Sequence, residues 1–202
     1  MARIKLNLIN RSTDADNQKV VLFQKNKAAD AKDYAVAWRV IRDLGREANH
    51  PFTYSLGITV CAEDSGGNYT PQLKALPGKK FSVMQAPTGS TLIPNGKSET
   101  PHEIEISNSL SEGAISGVIF RDGLLLAAEP QVAPEEKAVF QLPPTLSIAV
   151  APNVEEGQSM DKKAIPKDYT ELPLQGISSA DIIMTGGGDV PVEFRLENIE
   201  WA

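Results

Sequence analysis

The sequence predicts an all-β protein: a single antiparallel β-sandwich of jelly-roll or immunoglobulin-like character, with about ten strands and at most one or two short helices. Three observations carry that expectation. Phe52, Tyr54, Leu56, Ile58, Val60 and Ala62 occupy every second position, with the small or weakly polar Thr53, Ser55, Gly57, Thr59 and Cys61 between them. Side chains of an extended chain alternate between faces, so this run is expected as one central strand, apolar on one side. Asp122-Gly123 separates the apolar runs 114–121 and 124–128, and that dipeptide suits the two positive φ angles of a type I′ hairpin turn. Val190, Val192, Phe194 and Leu196 alternate with Glu193, Arg195 and Glu197, again at a period of two.

The other elements follow in order. Ile4, Leu6 and Leu8 alternate as a first strand, and residues 20–23, Val-Val-Leu-Phe, are apolar on both faces, which fits a fully buried strand. Residues 27–33 read as a charged loop or one helical turn. Tyr34 to Leu44 is expected as a strand because Val36, Trp38 and Val40 alternate; a helix capped by Asp33 and closed by Gly45 is the alternative. Residues 78–84 form a strand, residues 87–96 are rich in turn signals, and Ile104 and Ile106 alternate with Glu103 and Glu105 as a half-exposed strand. Ala138, Phe140 and Leu142 share a strand face, and Leu146, Ile148 and Val150 another. Positions 151–168 read as a long surface loop within a single domain spanning 1–202. Short strands follow around Leu172 and at 181–184. Ile199 and Trp201 fall on odd positions after the even run ending at Leu196, so a bulge near Glu197-Asn198 is needed to restore the register.

Composition narrows the function classes. The 202 residues are 41% hydrophobic and 23% charged, as in a globular protein, and the net charge of −6 gives no electrostatic reason to bind nucleic acid or an anionic membrane. No segment approaches the roughly 18 apolar residues of a membrane span. The opening MARIKLNLIN has no apolar run of signal-peptide length, so a cytoplasmic location is expected. The single cysteine, Cys61, forms no internal disulfide.

Catalytic groups are sparse. Cys61 with His50 or His102 would make a thiol nucleophile, but a cysteine within a regular strand more often packs as a small hydrophobe. Glu103 with Glu105, and Glu193 with Glu197, share strand faces as glycosidase carboxylates would, yet such alternation equally describes a solvated sheet face. Gly96-Lys97-Ser98 lacks the glycine a phosphate loop needs at position 91, where Thr91 stands, and Gly186-Gly187-Gly188 precedes a strand. Asp14, Asp16 and Asn17 offer oxygen ligands without the glycine and final glutamate of a calcium loop. No catalytic residue, metal site or cofactor is therefore assigned.

Two readings remain. The first is a non-enzymatic interaction or self-assembling protein, a homo-oligomer joined through its terminal strands, with Ile199 and Trp201 on the assembly edge. The second is a carbohydrate-binding module in which Asp64, Asn68 and Tyr69 hold a glycan, the tyrosine by stacking and the others by hydrogen bonds. A membrane-acting toxin on a sandwich scaffold is a further alternative, although no basic amphipathic helix opens the chain.

Overall fold

A computed structural model describes residues 2–13, 18–28 and 34–202. Among them are seventeen strands and no helix: β1 (Arg3–Asn10), β2 (Gln18–Phe23), β3 (Tyr34–Leu44), β4 (Asn49–Ser55), β5 (Ile58–Glu63), β6 (Leu73–Ala75), β7 (Lys79–Ala86), β8 (Gly89–Lys97), β9 (Ile104–Asn108), β10 (Ile115–Arg121), β11 (Leu124–Val132), β12 (Lys137–Phe140), β13 (Thr145–Val150), β14 (Ser159–Asp161), β15 (Thr170–Pro173), β16 (Ile177–Gly187) and β17 (Val190–Trp201). The all-β expectation holds, but the strands are distributed among four mostly antiparallel sheets. They do not establish one sandwich of about ten strands.

The chain forms two compact units, one containing β1–β4 and β13–β17, the other β5–β12. The expected central strand is divided between them. Its first half is β4 and its second half β5, and Leu56, between the halves, is 48% exposed rather than in a core. Gly57 follows it, and glycine in a strand pattern marks such breaks because it adds no side chain to hold the pleat.

In the first unit one sheet has the order β17-β16-β1-β4. β1 buries Ile4, Leu6 and Leu8, runs parallel to β16 and pairs antiparallel with β4. The second sheet has the order β14-β3-β2-β13-β15. β3 is a strand throughout its eleven residues, as expected, and Trp38 on it meets Tyr54 of β4 edge-to-face at 5.8 Å. β2 is buried on both faces. Its odd face, Val21 and Phe23, packs with Ala35, Ala37, Ala149, Val154, Met160 and Ile165. Three of those residues come from the 151–168 stretch, which contains β14 and covers that face with apolar side chains. Glu155 fastens the stretch to Lys19 at 2.5 Å and to Arg42.

In the second unit the sheets have the orders β11-β10-β5-β6 and β12-β9-β7-β8. The β10–β11 hairpin turns at Asp122 (φ 53°) and Gly123 (φ 78°), as the sequence predicts for a type I′ turn. Stretch 87–96, read as turns, is mostly β8. The two sheets meet closely at Gly117, where an added Cβ would lie 2.7 Å from the Ala138 Cβ and 3.4 Å from Ile106. Gly117→Ala should therefore overpack this core and lower the unfolding free energy by about 1–3 kcal/mol, read as a lower urea midpoint at unchanged slope.

Candidate functional site

Asp64, Asn68 and Tyr69 lie together in the second unit, in the connection from β5 to β6. The chain reverses there because Glu63 and Tyr69 form an isolated antiparallel bridge, extended by Thr70 N–H to the Ala62 carbonyl at 2.9 Å. The Asp64 carboxylate organises the loop. Its Oδ1 accepts from the backbone N–H groups of Gly66 and Asn68, both at 2.9 Å, and the Asn68 Nδ2 donates to both carboxylate oxygens at 3.1–3.2 Å. Gly67 takes a φ of 80°, which glycine adopts without steric cost. Aspartate side chains commonly close turns in this way, so Asp64 positions its neighbours and has little free capacity to bind a ligand itself.

A hollow of about 300 Å³ opens beside the loop, lined by these three residues together with Thr70, Thr88 and Ser90, above Val83 and Ile115. Tyr69 is 56% exposed at its rim. Partial burial and then the nearby Glu63 charge raise its pKa, so the phenol stays protonated. The hollow thus offers an aromatic face, the hydroxyls of Thr88 and Ser90, the buried Thr70 hydroxyl, which accepts from the Ala62 N–H at 3.0 Å, and an amide carbonyl. Thr88 and Ser90 escaped sequence reasoning. Pro87 and Gly89 mark a turn there, but only the β7–β8 pairing and the sheet arrangement bring that turn beside Tyr69.

The proposed assembly edge is also accessible. β17 is the outermost strand of its sheet, with Ile199 37% and Trp201 69% exposed. The expected bulge is present: Asp181 pairs with Glu197 and Ser179 with Glu200, so β17 carries one extra residue between them, and Asn198 has a φ of 50°. The Asn198 amide donates to Asp181 Oδ2 at 2.7 Å.

Other groups take structural positions. Cys61 is fully buried, and burial followed by the Glu63 charge pushes its pKa up to about 11, so it is a thiol at neutral pH. Glu105 is not on a half-exposed face as expected; its side chain is fully buried. Residues that follow β8 fold back over it, and the Glu99 N–H donates to its Oε1 at 2.8 Å, with Lys137 at 3.3 Å and Lys80 at 4.0 Å. Asp14, Asp16 and Asn17 lie outside the described residues, as do residues 29–33. Among the described residues no group of three or more His, Cys, Asp or Glu is arranged to hold a metal ion, and no helix is long and apolar enough to cross a membrane. Comparison with protein-family models, curated proteins and solved structures finds no match to the chain.

The loop geometry has a pH signature. The Asn68 backbone N–H above all, then its side-chain amide and the Gly66 N–H, hold the Asp64 carboxyl below the ordinary carboxylate range. A depressed folded pKa means that this contribution to loop order is full above the ordinary value and is lost as pH falls through the depressed one. In an NMR titration, the Gly66 and Asn68 amide resonances should move together below pH about 4, and Asp64→Ala should abolish the transition.

Proposed function

We propose that this is a non-enzymatic binding protein that takes a carbohydrate in the hollow beside Tyr69. The observation that carries the reading is the exposed Tyr69 ring beside the hydroxyls of Thr70, Thr88 and Ser90 and the amide of Asn68. A sugar presents apolar C–H faces and a hydrogen-bonding rim, so a protein site for it needs one aromatic platform and several neutral polar groups at its edge. Asp64 belongs to this reading as the residue that holds Asn68 in position, while the backbone bridge to Glu63 places Tyr69. The non-enzymatic part is supported by the fate of two groups considered for catalysis: Cys61 is a buried thiol, and the Glu105 side chain is fully buried, with Lys137 3.3 Å from its Oε1.

Tyr69→Ala should weaken binding of a glycan found by array screening about tenfold in calorimetry, whereas Tyr69→Phe should retain most of it. Equal affinity of Tyr69→Ala and the parent for every bound glycan would remove this site.

A second reading, self-association through β17, has its own observation. Trp201 is exposed at the end of an outermost strand, and edge strands with unpaired backbone groups are templates for another chain.

A further inference from the structure

We propose that β17 pairs antiparallel with β17 of a second copy of this chain, about a two-fold axis through Phe194; the proposal rests on the self-association reading. Among the described residues, the backbone ladder of β17 runs to β16 alone, so its outer edge retains free donors and acceptors. What selects the partner is the order of charges on that strand.

A two-fold axis perpendicular to the sheet keeps each face on its own side, so residues facing each other across the axis have the same parity. Centred on Phe194, the axis sets Glu193 opposite the partner's Arg195 and Arg195 opposite the partner's Glu193, giving two opposite-charge pairs. Val192 and Leu196, both half-buried, meet across the same axis, and Phe194 meets its own copy. Centring on Arg195 would instead oppose arginine with arginine and Glu193 with Glu197, and like charges directly opposed destabilise a sheet. Centring on Leu196 pairs Arg195 with Glu197 but brings the Asn198 bulge into the ladder against Phe194. The carboxylates also differ in availability. Glu197 is already engaged by Arg195 at 2.7 Å and Arg11 at 3.5 Å, whereas no salt bridge involves Glu193 among the described residues.

The exposed apolar residues fit the same arrangement. Val190 is exposed at the start of β17, and Ile199 and Trp201 at its end. Antiparallel pairing brings the start of one strand beside the end of the other, so each Val190 approaches Asn198 and the Ile199–Trp201 end of the second copy. Pro191, which has no N–H and lies in a register shift between Val190 and Glu193, and the bulge at Asn198 restrict regular pairing to the segment between them. The strand therefore closes a dimer. Head-to-tail pairing of β17 with β4, the opposite edge of the sheet, would instead leave open ends and build polymers.

Light scattering coupled to size-exclusion chromatography over a dilution series tests this with four proteins: the parent, Glu193→Arg, Arg195→Glu, and the double exchange, each checked for unchanged near-UV circular dichroism. The parent should be a dimer that dissociates on dilution. Either single reversal should raise its dissociation constant about tenfold or more by placing like charges opposite at two symmetric positions, and the double exchange should return it to within about threefold of the parent. A parent that stays monomeric at every concentration overturns self-association and this register together. A dimer indifferent to the single reversals, or one the double exchange fails to restore, overturns the register while leaving self-association standing. Polymers in place of dimers overturn the two-fold arrangement.

Discussion

Backbone pairing of β1 is the constraint on which the first unit depends. This eight-residue strand lies between β16 and β4, so it supplies hydrogen bonds to one strand from the far end of the chain and to another from its first third. Its parallel ladder runs from Lys5–Ser179 to Asn10–Met184, and Arg11 and Thr13 continue it with N–H bonds to the Met184 and Gly186 carbonyls. Asn10, fully buried, closes the end of the strand: its amide donates to the Leu44 carbonyl at 2.7 Å, and its Oδ1 accepts from Ser12 N–H at 2.9 Å. A buried amide with partners on both its oxygen and its nitrogen avoids the desolvation cost of an unmade bond. It also links β1 to the β3–β4 connection, since the Glu47 N–H donates to the Asn10 carbonyl.

The two units solve the same problem with different chain economy. The first collects segments far apart in sequence and covers its second sheet with residues 151–165, so β2 can be apolar on both faces without exposing either. The second is built mainly from one continuous stretch, and its sheets approach closely at the side-chain-free Gly117. Close approach at a glycine is possible because no Cβ holds the layers apart. In this unit the hollow beside Tyr69 is formed by two reversals, one after β5 and one between β7 and β8. Its shape therefore depends on strand order, while its loop conformation depends on Asp64.

Polar groups in the two units show how far strand alternation carries meaning. Glu105 occupies a position that alternation assigns to an outer face, yet the backbone after β8 covers it and supplies a hydrogen bond and two nearby ammonium groups supply compensating charge. Glu193 occupies the same kind of position on β17 and stays exposed. Two glutamates with the same local pattern thus meet different dielectric surroundings.

Local patterns determined much of this protein. The period of two placed β1, β3 and β17, the doubly apolar 20–23 segment announced a strand buried on both sides, Asp122-Gly123 marked its hairpin, and the parity change after Leu196 located the Asn198 bulge. Each of these rests on steric and hydrophobic preferences that act over a few residues. The grouping of Asp64, Asn68 and Tyr69 was legible for the same reason, since all three fall within six consecutive residues of one loop. Tertiary structure alone decided that the alternation from Phe52 to Ala62 breaks at Leu56, that residues 151–168 cover a core, that Thr88 and Ser90 join Tyr69, and that Glu105 is buried. Those outcomes depend on which distant surfaces come to lie on a strand, and alternation records that a face is apolar or polar without recording what will cover it.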